Sequence, residues 1–425
     1  MLQTLRNAWK VEEIRQKILF TLLIILLYRV GNAIPVPYVD VSALQAYFSA
    51  LQNTVLGLLN VMSGGAFSQA TIFALSIQPY INASIIIQLL CIAIPALERM
   101  SKDEGEEGRK KIASITRYAT VIIGLLQGFG YYMLIKSNGL LVSEAQNSFW
   151  CAVVIILTFT SGSALIMWLG EQITEYGIGN GISMILFASI ISRFPTSVIS
   201  TIRNVINGSL KWWVALLMYI GALALIVLIV YVNDAERRIP VQYSKRVVGR
   251  KMYGGQSTHL PMKVNMSGVM PIIFAQSIST LPATIAAFTG HTDSAWANTT
   301  SILYAIIYFL LIIFFAYFYS TIQFNPIEVA NNLKKNGGYI PGFRPGKPTS
   351  EFIQKVLNKI TLFGAIYLGI IAVVPILISH FSDSASLTGL SLGGTSIIIV
   401  VGVALETIRA LEAQLLMRNY KGFLD

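Results

Sequence analysis

The chain has 425 residues, of which 54% are hydrophobic and only 12% are charged, and its formal net charge is +11. A soluble globular domain usually carries roughly 25% charged residues. This composition therefore excludes an ordinary soluble protein and favours one that is embedded in a lipid bilayer.

Ten uncharged runs are long enough, or nearly so, to cross a bilayer. A crossing takes about 20 apolar residues, because lipid cannot hydrogen-bond the backbone and a helix satisfies its own polar groups. The sequence therefore predicts an all-α membrane protein with ten transmembrane helices. In chain order the runs are 18–28, 72–97, 118–135, 149–170, 178–192, 213–232, 266–288, 302–324, 360–379 and 384–405.

The basic residues are concentrated in every second gap between these runs, and alternate gaps lie on the same side of the membrane. Twenty-six of the 31 Lys and Arg residues fall in alternate gaps, namely 1–17, 98–117, 170–177, 233–265, 325–359 and 406–425. The other five are Arg29, Lys136, Arg193, Arg203 and Lys211. Positive charge marks the cytoplasmic side. We therefore expect both termini to be cytosolic, with positions near 105, 250 and 345 inside and positions near 140, 205 and 295 outside.

The N-terminus and the middle of the chain indicate its organisation. Residues 1–17 are polar and basic and lead directly into the first run, so no cleavable signal peptide is expected. Five runs lie within 1–192 and five within 213–425, on either side of an external hinge loop at 193–212. Because each half crosses an odd number of times, the halves are oppositely oriented, which allows an inverted repeat with function at its interface.

The stretch 41–97 contains 57 residues without one Lys, Arg, His, Asp or Glu. It is too long for one span, and its first part is too polar for two. We interpret it as one span over 72–97, preceded by a short amphipathic or re-entrant piece around 55–70. Such a piece survives at membrane depth only where protein or water surrounds it. A loosely ordered external loop is the alternative that the pattern leaves open.

The apolar runs contain few of the ionisable residues that ion-coupled transport or catalysis within the membrane requires. Almost no ionisable residue lies within them, which counts against an ion-coupled transporter. The three histidines lie in or beside loops, so no catalytic pair or metal site is expected, and no cofactor. Cys91 and Cys151 fall inside runs and are interpreted as packing residues. The basic loops 233–265 and 325–359 fit either attraction to anionic lipid or docking of an acidic or RNA-containing partner.

The motif GGYIPGFRPGKPT at 337–349 resembles the SecY/Sec61-alpha family of protein-conducting channels. Similar segments occur at 63–66, 73–81, 84–90, 171–183, 256–265 and 393–396, so the resemblance covers the whole chain. It implies an hourglass pore between the two five-helix halves, and a membrane channel rather than an enzyme. Before the resemblance is considered, a secondary transporter of small solutes and an intramembrane enzyme are the alternatives.

The resemblance implies a ring of aliphatic residues at the pore's narrowest point. An aliphatic ring gates by dewetting and deforms around a passing chain of any sequence. By motif, the matching positions are Ile77, Ile81, Ile182, Leu186, Ile273 and Ile399.

Two moving parts are implied as well. The piece around 55–70 matches the family's plug, with Ser63, Gly64, Gly65, Ala66 and Phe67 at its centre. Spans 2 and 3 against spans 7 and 8 match the lateral gate. Its expected residues are Ser84, Ile87, Gln88, Gln127, Gln276 and Ile278. Polar bonds between such helices contribute about 1 kcal/mol each, which suits a seam that opens.

The two basic loops resemble the family's docking sites for the SecA motor ATPase and the ribosome. The residues expected to dock are Arg344, Lys347, Lys245, Arg246, Arg250 and Lys251. The implied partners also include SecE-type and SecG-type small membrane subunits, signal sequences, unfolded precursor polypeptides and anionic lipids. The resemblance places the chain in the bacterial cytoplasmic membrane.

Overall fold

The computed structural model describes most of the chain. The described residues are 2–51, 54–102, 105–142, 148–208, 210–243, 246–248, 251–253, 257–266, 268–288, 301–381 and 388–421.

In the described part of the first half, the named secondary-structure elements are all helices. Its helices are α1 (Leu2–Lys10), α2 (Glu12–Gly31), α3 (Val41–Ala50), α4 (Val55–Met62), α5 (Gln78–Ala93), α6 (Pro95–Lys102), α7 (Gly105–Ser137), α8 (Phe149–Tyr176) and α9 (Gly181–Ile191). The helix α10 (Phe194–Ile206) follows in the hinge loop. Helices α5, α7, α8 and α9 pack against one another, and α2 packs on α8 and α9.

The second half adds a small sheet to its helices. The elements are α11 (Trp212–Asp234), β1 (Glu236–Tyr243), β2 (Arg246–Val248), β3 (Lys251–Tyr253), β4 (Ser257–Lys263), α12 (Met270–Phe288), α13 (Ile302–Gln323), α14 (Pro326–Lys335), β5 (Gly338–Tyr339), α15 (Lys347–Phe381) and α16 (Thr388–Lys421). Helices α12, α13, α15 and α16 pack in sequence, and α11 lies against α16.

Six helical stretches in the described part of the chain are long and apolar enough to cross a membrane. They are Gly105–Ser137, Phe149–Tyr176, Gly181–Ile206, Trp212–Asp234, Ile302–Lys335 and Lys347–Leu377. Two shorter apolar helices, Gln78–Ala93 and Met270–Ala286, lie at the predicted second and seventh spans. Helices α2 and α16 cover most of the predicted first and tenth spans. The membrane-helix architecture is thus confirmed, while the count of ten stays a prediction.

The predicted second span begins later than its apolar run. Residues 71–77 form turns, and α5 begins only at Gln78. Pro79 stands in the first turn of α5, where its missing N–H needs no partner. Ser76 has φ 52°, a left-handed conformation that turns the chain sharply before the helix. The segment from Val55 to Ile77 is mostly buried and hydrogen-bonded, so it is well packed and not a loosely ordered loop, while its re-entrant position in the membrane stays a prediction.

The first basic loop departs from the all-α expectation, because it forms strands. Strand β1 pairs antiparallel with β4, and β5 from the second basic loop pairs with the other edge of β1. Ile239 and Val241 are buried on one face of β1 between exposed neighbours. This period of two, together with Pro240 and Pro261, disfavours a helix and favours strands.

The two basic loops share one hydrophobic core. Strands β1 and β4 contribute Ile239, Val241 and Met262, while α14, the segment after β5 and α15 contribute Ala330, Ile340, Ile353 and Leu357. The loops at 233–265 and 325–359 are therefore two parts of one folded unit, which we call the cytosolic body. Nothing in the sequence pattern of either loop indicated that the two pack together.

Ile353 tests this unity because it is fully buried and comes from the second loop. Replacing it by Ala should destabilise the shared core by about 2–5 kcal/mol. Hydrogen exchange should then accelerate in β1 and β4 as well as around β5. Leu362→Ala, on the exposed side of the same helix, is the control and should change neither. Faster exchange confined to the second loop would show that the two loops fold independently.

Candidate functional site

All six residues predicted for the aliphatic ring meet in one apolar cluster. Five of them, Ile77, Ile81, Leu186, Ile273 and Ile399, are each at most 3% exposed, and the sixth, Ile182, packs against them. The cluster draws on α5 and α9 of the first half and on α12 and α16 of the second. It lies where the two halves touch, so any passage between the halves would have to part it.

A close helix approach places Ile182 and Leu186 at this cluster. Asn180 caps α9, and its side-chain oxygen accepts from the backbone N–H groups of Ile182 and Ser183 at 3.0 and 3.3 Å. The next residue must be glycine, because an added Cβ on Gly181 would overlap the carbonyl oxygen of Gly170. In the GIGNGIS motif, Asn180 therefore caps α9 and Gly181 lets α9 pack closely against α8.

The segment predicted as the plug fills the space next to the cluster. Helix α4 packs against α9 and also against α12 and α16. Its last residue, Met62, belongs to the same apolar cluster as the ring positions. Ser63 and Ala66 are buried, and Gly64 and Gly65 turn the chain with φ of 68° and 94°. Glycine is needed here because side chains disfavour this left-handed region.

Phe67 is held by Tyr131 of α7. The two rings stack with centroids 4.2 Å apart, and the Tyr131 hydroxyl donates a hydrogen bond to the Phe67 carbonyl oxygen. Phe48 and Phe159 complete an aromatic group around this pair. Tyr131 is completely buried. Because a buried aromatic stack and a buried hydrogen bond act on the same residue, Phe67 has a well-defined position.

The glycine turn lies close to the ends of α2 and α9. Arg29 donates to the Ser192 hydroxyl at 2.9 Å, and a Cβ on Gly64 would lie 3.2 Å from the Arg29 guanidinium and 2.9 Å from the Ser189 carbonyl oxygen. Gln78 of α5 donates to the Met62 sulfur at 3.1 Å. The hydrogen bonds that Tyr131 and Gln78 donate to the plug segment thus both come from the first half, whereas Met62 of α4 lies in the apolar cluster that includes residues of α12 and α16.

A small cavity of about 30 Å³ lies at the junction of the plug segment with α5, α7 and α12. Its polar lining is formed by Gln78, Asn82, Gln127, Thr280 and Thr284. The amide oxygen of Asn82 has no hydrogen-bond partner in the described part of the chain. A buried polar atom without a partner weakens the contact it lies in, so this seam is less tightly bonded than the apolar cluster beside it.

The residues predicted for the lateral gate lie along this seam, and only Gln127 lines the cavity. Ser84 bonds to the Ile81 carbonyl of its own helix, Ile87 is buried, and Gln88 has a buried amide oxygen without a partner among the described residues. Gln276 of α12 is likewise buried with an unpaired amide oxygen, and Ile278 packs on the apolar cluster. Helix α12 contacts both α5 and α7.

Sequence reasoning missed four of the five polar residues that line the cavity. Gln78 and Asn82 are four residues apart on α5, and Thr280 and Thr284 are four residues apart on α12. Such pairs share one helix face. Two apolar helices that each carry an i, i+4 polar pair were the signal that could have revealed this seam.

Arg344 lies in a rigid and exposed turn of the cytosolic body. The Thr349 hydroxyl donates to the Arg344 carbonyl oxygen at 2.8 Å, and the Phe343 ring stacks on Phe352 with centroids 4.2 Å apart. Gly342 and Gly346 have φ of 89° and 104°. In the described part of the chain, no carboxylate forms a salt bridge with Arg344, so its guanidinium is available to a partner.

The other predicted docking residues are only partly described. Lys347 is exposed at the start of α15. Arg246 and Lys251 belong to the short hairpin of β2 and β3, whereas Lys245 and Arg250 lie outside the described residues.

An ion pair joins the cytosolic body to α16. Arg409 donates to Asp234 at 2.6 Å and to the Asn233 carbonyl oxygen at 2.7 Å. Burial and the nearby Arg409 lower the pKa of Lys263 at the end of β4, and Asp234 opposes this shift. The contact fixes the base of the first basic loop.

The chain matches the SecY family model over residues 71–408. It is 45% identical to the protein translocase subunit SecY of Streptomyces scabiei, over the full length of both proteins. It is 42% identical to the protein of the same name from Corynebacterium glutamicum, over 98% of this chain and 99% of that protein. The resemblance that the motifs indicated is therefore confirmed.

Solved structures agree on the fold. One described as the structure of a protein conducting channel matches with a TM-score of 0.66 and 19% identity, over 94% of this chain and 92% of that one. Sec61 in the canine ribosome-channel complex from the endoplasmic reticulum matches with a TM-score of 0.61 and 16% identity, over the same shares. At such low identity these matches establish the fold alone.

Tyr131→Phe tests whether the hydroxyl holds Phe67. The ring stack remains, but the Phe67 carbonyl loses its buried donor, which should cost about 1–3 kcal/mol. We expect faster hydrogen exchange over residues 63–71. Tyr132→Phe is the matched control, because Tyr132 is also buried and donates no hydrogen bond to this segment. Equal exchange in both variants would mean that stacking alone positions Phe67.

Proposed function

Because the chain belongs to the SecY family, we propose that it is a protein-conducting channel subunit of the bacterial cytoplasmic membrane. It passes unfolded secretory polypeptides across the membrane and releases membrane-protein segments sideways into the lipid. The full-length similarity to protein translocase subunits carries this conclusion. The secondary-transporter alternative is not favoured, because these relatives are named as translocase subunits.

The aliphatic cluster acts as the seal of the closed channel. Ile77, Ile273 and Ile399 present only hydrocarbon to one another, so water and ions find no ligand at this point. An extended polypeptide that enters can push these side chains apart without meeting a fixed charge. The seal therefore accepts chains of any sequence, and re-forms by apolar contact when the chain has passed.

The segment from Ser63 to Phe67 is proposed as the plug that supports this seal from outside. Tyr131 donates a hydrogen bond to Phe67 and Gln78 donates one to the preceding Met62, and both donors belong to the first half. When the halves separate, the apolar contacts of α4 to α12 and α16 are the easier ones to break. We therefore expect the plug to stay with the first half at the start of opening.

The seam of α5 and α7 against α12 is proposed as the lateral gate. Its cavity carries polar groups from both sides, including Gln127 and Thr280. Bonds between such groups in membranes contribute about 1 kcal/mol each, so a competing apolar signal sequence can part the helices.

The chain contains no visible source of energy, and the cytosolic body is proposed to receive it from a partner. Its exposed Arg344 suits docking of the SecA motor ATPase or the translating ribosome. Arginine makes planar, two-pronged contacts with carboxylates and phosphates. SecE-type and SecG-type small subunits are the expected membrane partners, anionic lipids surround the complex, and both termini lie in the cytosol with ten spans between them.

Ile399→Asn tests the seal and the proposed channel. A polar group in a dewetted constriction lowers the cost of wetting, so reconstituted vesicles should show increased ion conductance and accept precursors with defective signal sequences. Ile399→Val keeps the contact aliphatic and should remain sealed. Ile273→Asn, on another helix of the same half, should repeat the leak. Unchanged conductance and signal stringency in both Asn variants would remove these residues from the seal.

Arg344→Glu tests the docking role. It should abolish ATP-driven import of a precursor into vesicles, and Arg344→Lys should impair import because lysine lacks the planar fork. Complex assembly should stay normal, because Arg344 is exposed and holds its turn only through its backbone carbonyl. Lys355→Glu is the charge-matched control on the exposed surface of α15. Normal import by Arg344→Glu, or a defect explained by lost assembly, contradicts the assignment.

A further inference from the structure

Helix α10 connects the two halves and has an apolar face that nothing in the described chain covers. Ile199, Ile202 and Ile206 are 57%, 52% and 78% exposed, and Phe194 at the start of the helix is 63% exposed. In a soluble protein such a run of exposed isoleucines would be an association site. In a membrane protein, the surrounding lipid can cover such a face instead.

The faces of α10 are cleanly separated. Val198 and Val205 are half-buried, and they lie on the side where α10 packs against α9 and α11. Ile199, Ile202 and Ile206 recur at helical spacing on an adjoining side. Thr196 and Ser200 are exposed on the opposite side. The helix therefore has a narrow protein-facing edge, an exposed apolar face and an exposed polar face.

The next residues along the chain indicate what covers the apolar face. Lys211, Trp212 and Trp213 follow closely, and the two tryptophans are 70% and 51% exposed. Tryptophan and lysine at the end of a span are typical of the membrane interface. Helix α11 is the least buried of the six candidate spans, with 11% of its apolar window buried, so its surface faces lipid.

Helix α10 contacts α11, so its exposed apolar face stands next to that surface. Arg203 is exposed on the flank of the isoleucine face. At a bilayer surface a cation in this position reaches the lipid phosphates while its neighbours enter the acyl region. Helix α10 thus combines an apolar face, a flanking cation and adjacent tryptophans. These three features are typical of a helix that lies in the membrane–water interface.

We propose that α10 is an interfacial anchor that lies in the outer leaflet and binds phospholipid. Ile199, Ile202 and Ile206 insert among the upper acyl chains, and Arg203 meets the phosphates. The hinge loop would then be fastened to the membrane on the outside while the seam of α5, α7 and α12 remains free to open. The proposal rests on the membrane orientation proposed above.

Site-specific fluorescence in the reconstituted complex tests the anchor. In a full-length chain with Cys91→Ala and Cys151→Ala, an environment-sensitive nitrobenzoxadiazole probe is attached to Ile202→Cys or, separately, to Ile199→Cys. Ser200→Cys, on the polar face of the same helix, is the matched control. The vesicles contain phosphatidylcholine and phosphatidylglycerol, with or without acyl chains brominated near their ester end.

We expect the probes at 199 and 202 to emit at shorter wavelength than the probe at 200 and to be quenched several-fold more by the brominated lipid. In import-competent vesicles the cytosolic face points outward, so the probe at 200 should instead be quenched by iodide enclosed within the vesicles. Water-like emission at both 199 and 202 would overturn the proposal. So would short-wavelength emission without bromine quenching, because protein rather than lipid would then cover the face.

Precursor import by the same vesicles separates this proposal from the proposed function. Normal import with water-exposed probes at 199 and 202 overturns the lipid anchor alone. Lipid quenching at 199 and 202 in vesicles that fail to import any precursor supports the anchor and counts against the channel. In vesicles that import precursor, iodide quenching at 200 only from outside the vesicles overturns the outer-leaflet placement together with the membrane orientation.

Discussion

The apolar contact between the two halves is the interaction on which the other features of the structure depend. Ile77 and Ile81 on one side and Ile273 and Ile399 on the other are almost completely buried in a single cluster. Such a contact is strong while water is excluded, yet it has no directional bonds that must be broken in order. It can therefore close a membrane completely and still separate around a substrate. The special local geometry of the first half brings side chains to this point.

Several unfavourable backbone conformations and close contacts bring side chains to this apolar cluster. The left-handed Ser76 turn and the late start of α5 bring Ile77 to the cluster instead of leaving it within a long straight helix. Gly181 permits the close approach of α9 to α8. A non-helical segment at membrane depth is tolerated only when protein surrounds it, and the buried segment between α4 and α5 meets that condition. Strain and irregularity are thus concentrated beside the seal.

The plug segment, the seam and the cytosolic body differ in how they are bonded. These differences indicate which contacts would break first if the halves separated. Tyr131 and Gln78 tie the plug segment to the first half by hydrogen bonds, while Met62 joins it to the second half through an apolar cluster. The neighbouring seam contains unpaired polar atoms such as the Asn82 amide oxygen. The seam is therefore less tightly bonded than the apolar cluster beside it. The cytosolic body is the opposite case, since one hydrophobic core and the Arg409–Asp234 pair make it a firm platform.

By itself, the sequence determined that this protein is a helical membrane protein and which family it belongs to, and it predicts which side of the bilayer its basic loops face. These conclusions depend on apolar run length, on charge sorting and on short motifs, all of which are local. The positions that the motifs implied for the ring belong to or pack on one apolar cluster, and their role as a ring stays a prediction. Tertiary structure alone decided that the two basic loops form one body, because the pairing of β1 with β5 joins residues about 97 positions apart. It alone decided that Phe67 stacks on Tyr131 and that Asn82 faces Thr280 across a cavity. No periodicity records such contacts, because each depends on how two distant helices are packed, and packing is set by the whole set of neighbours rather than by either segment.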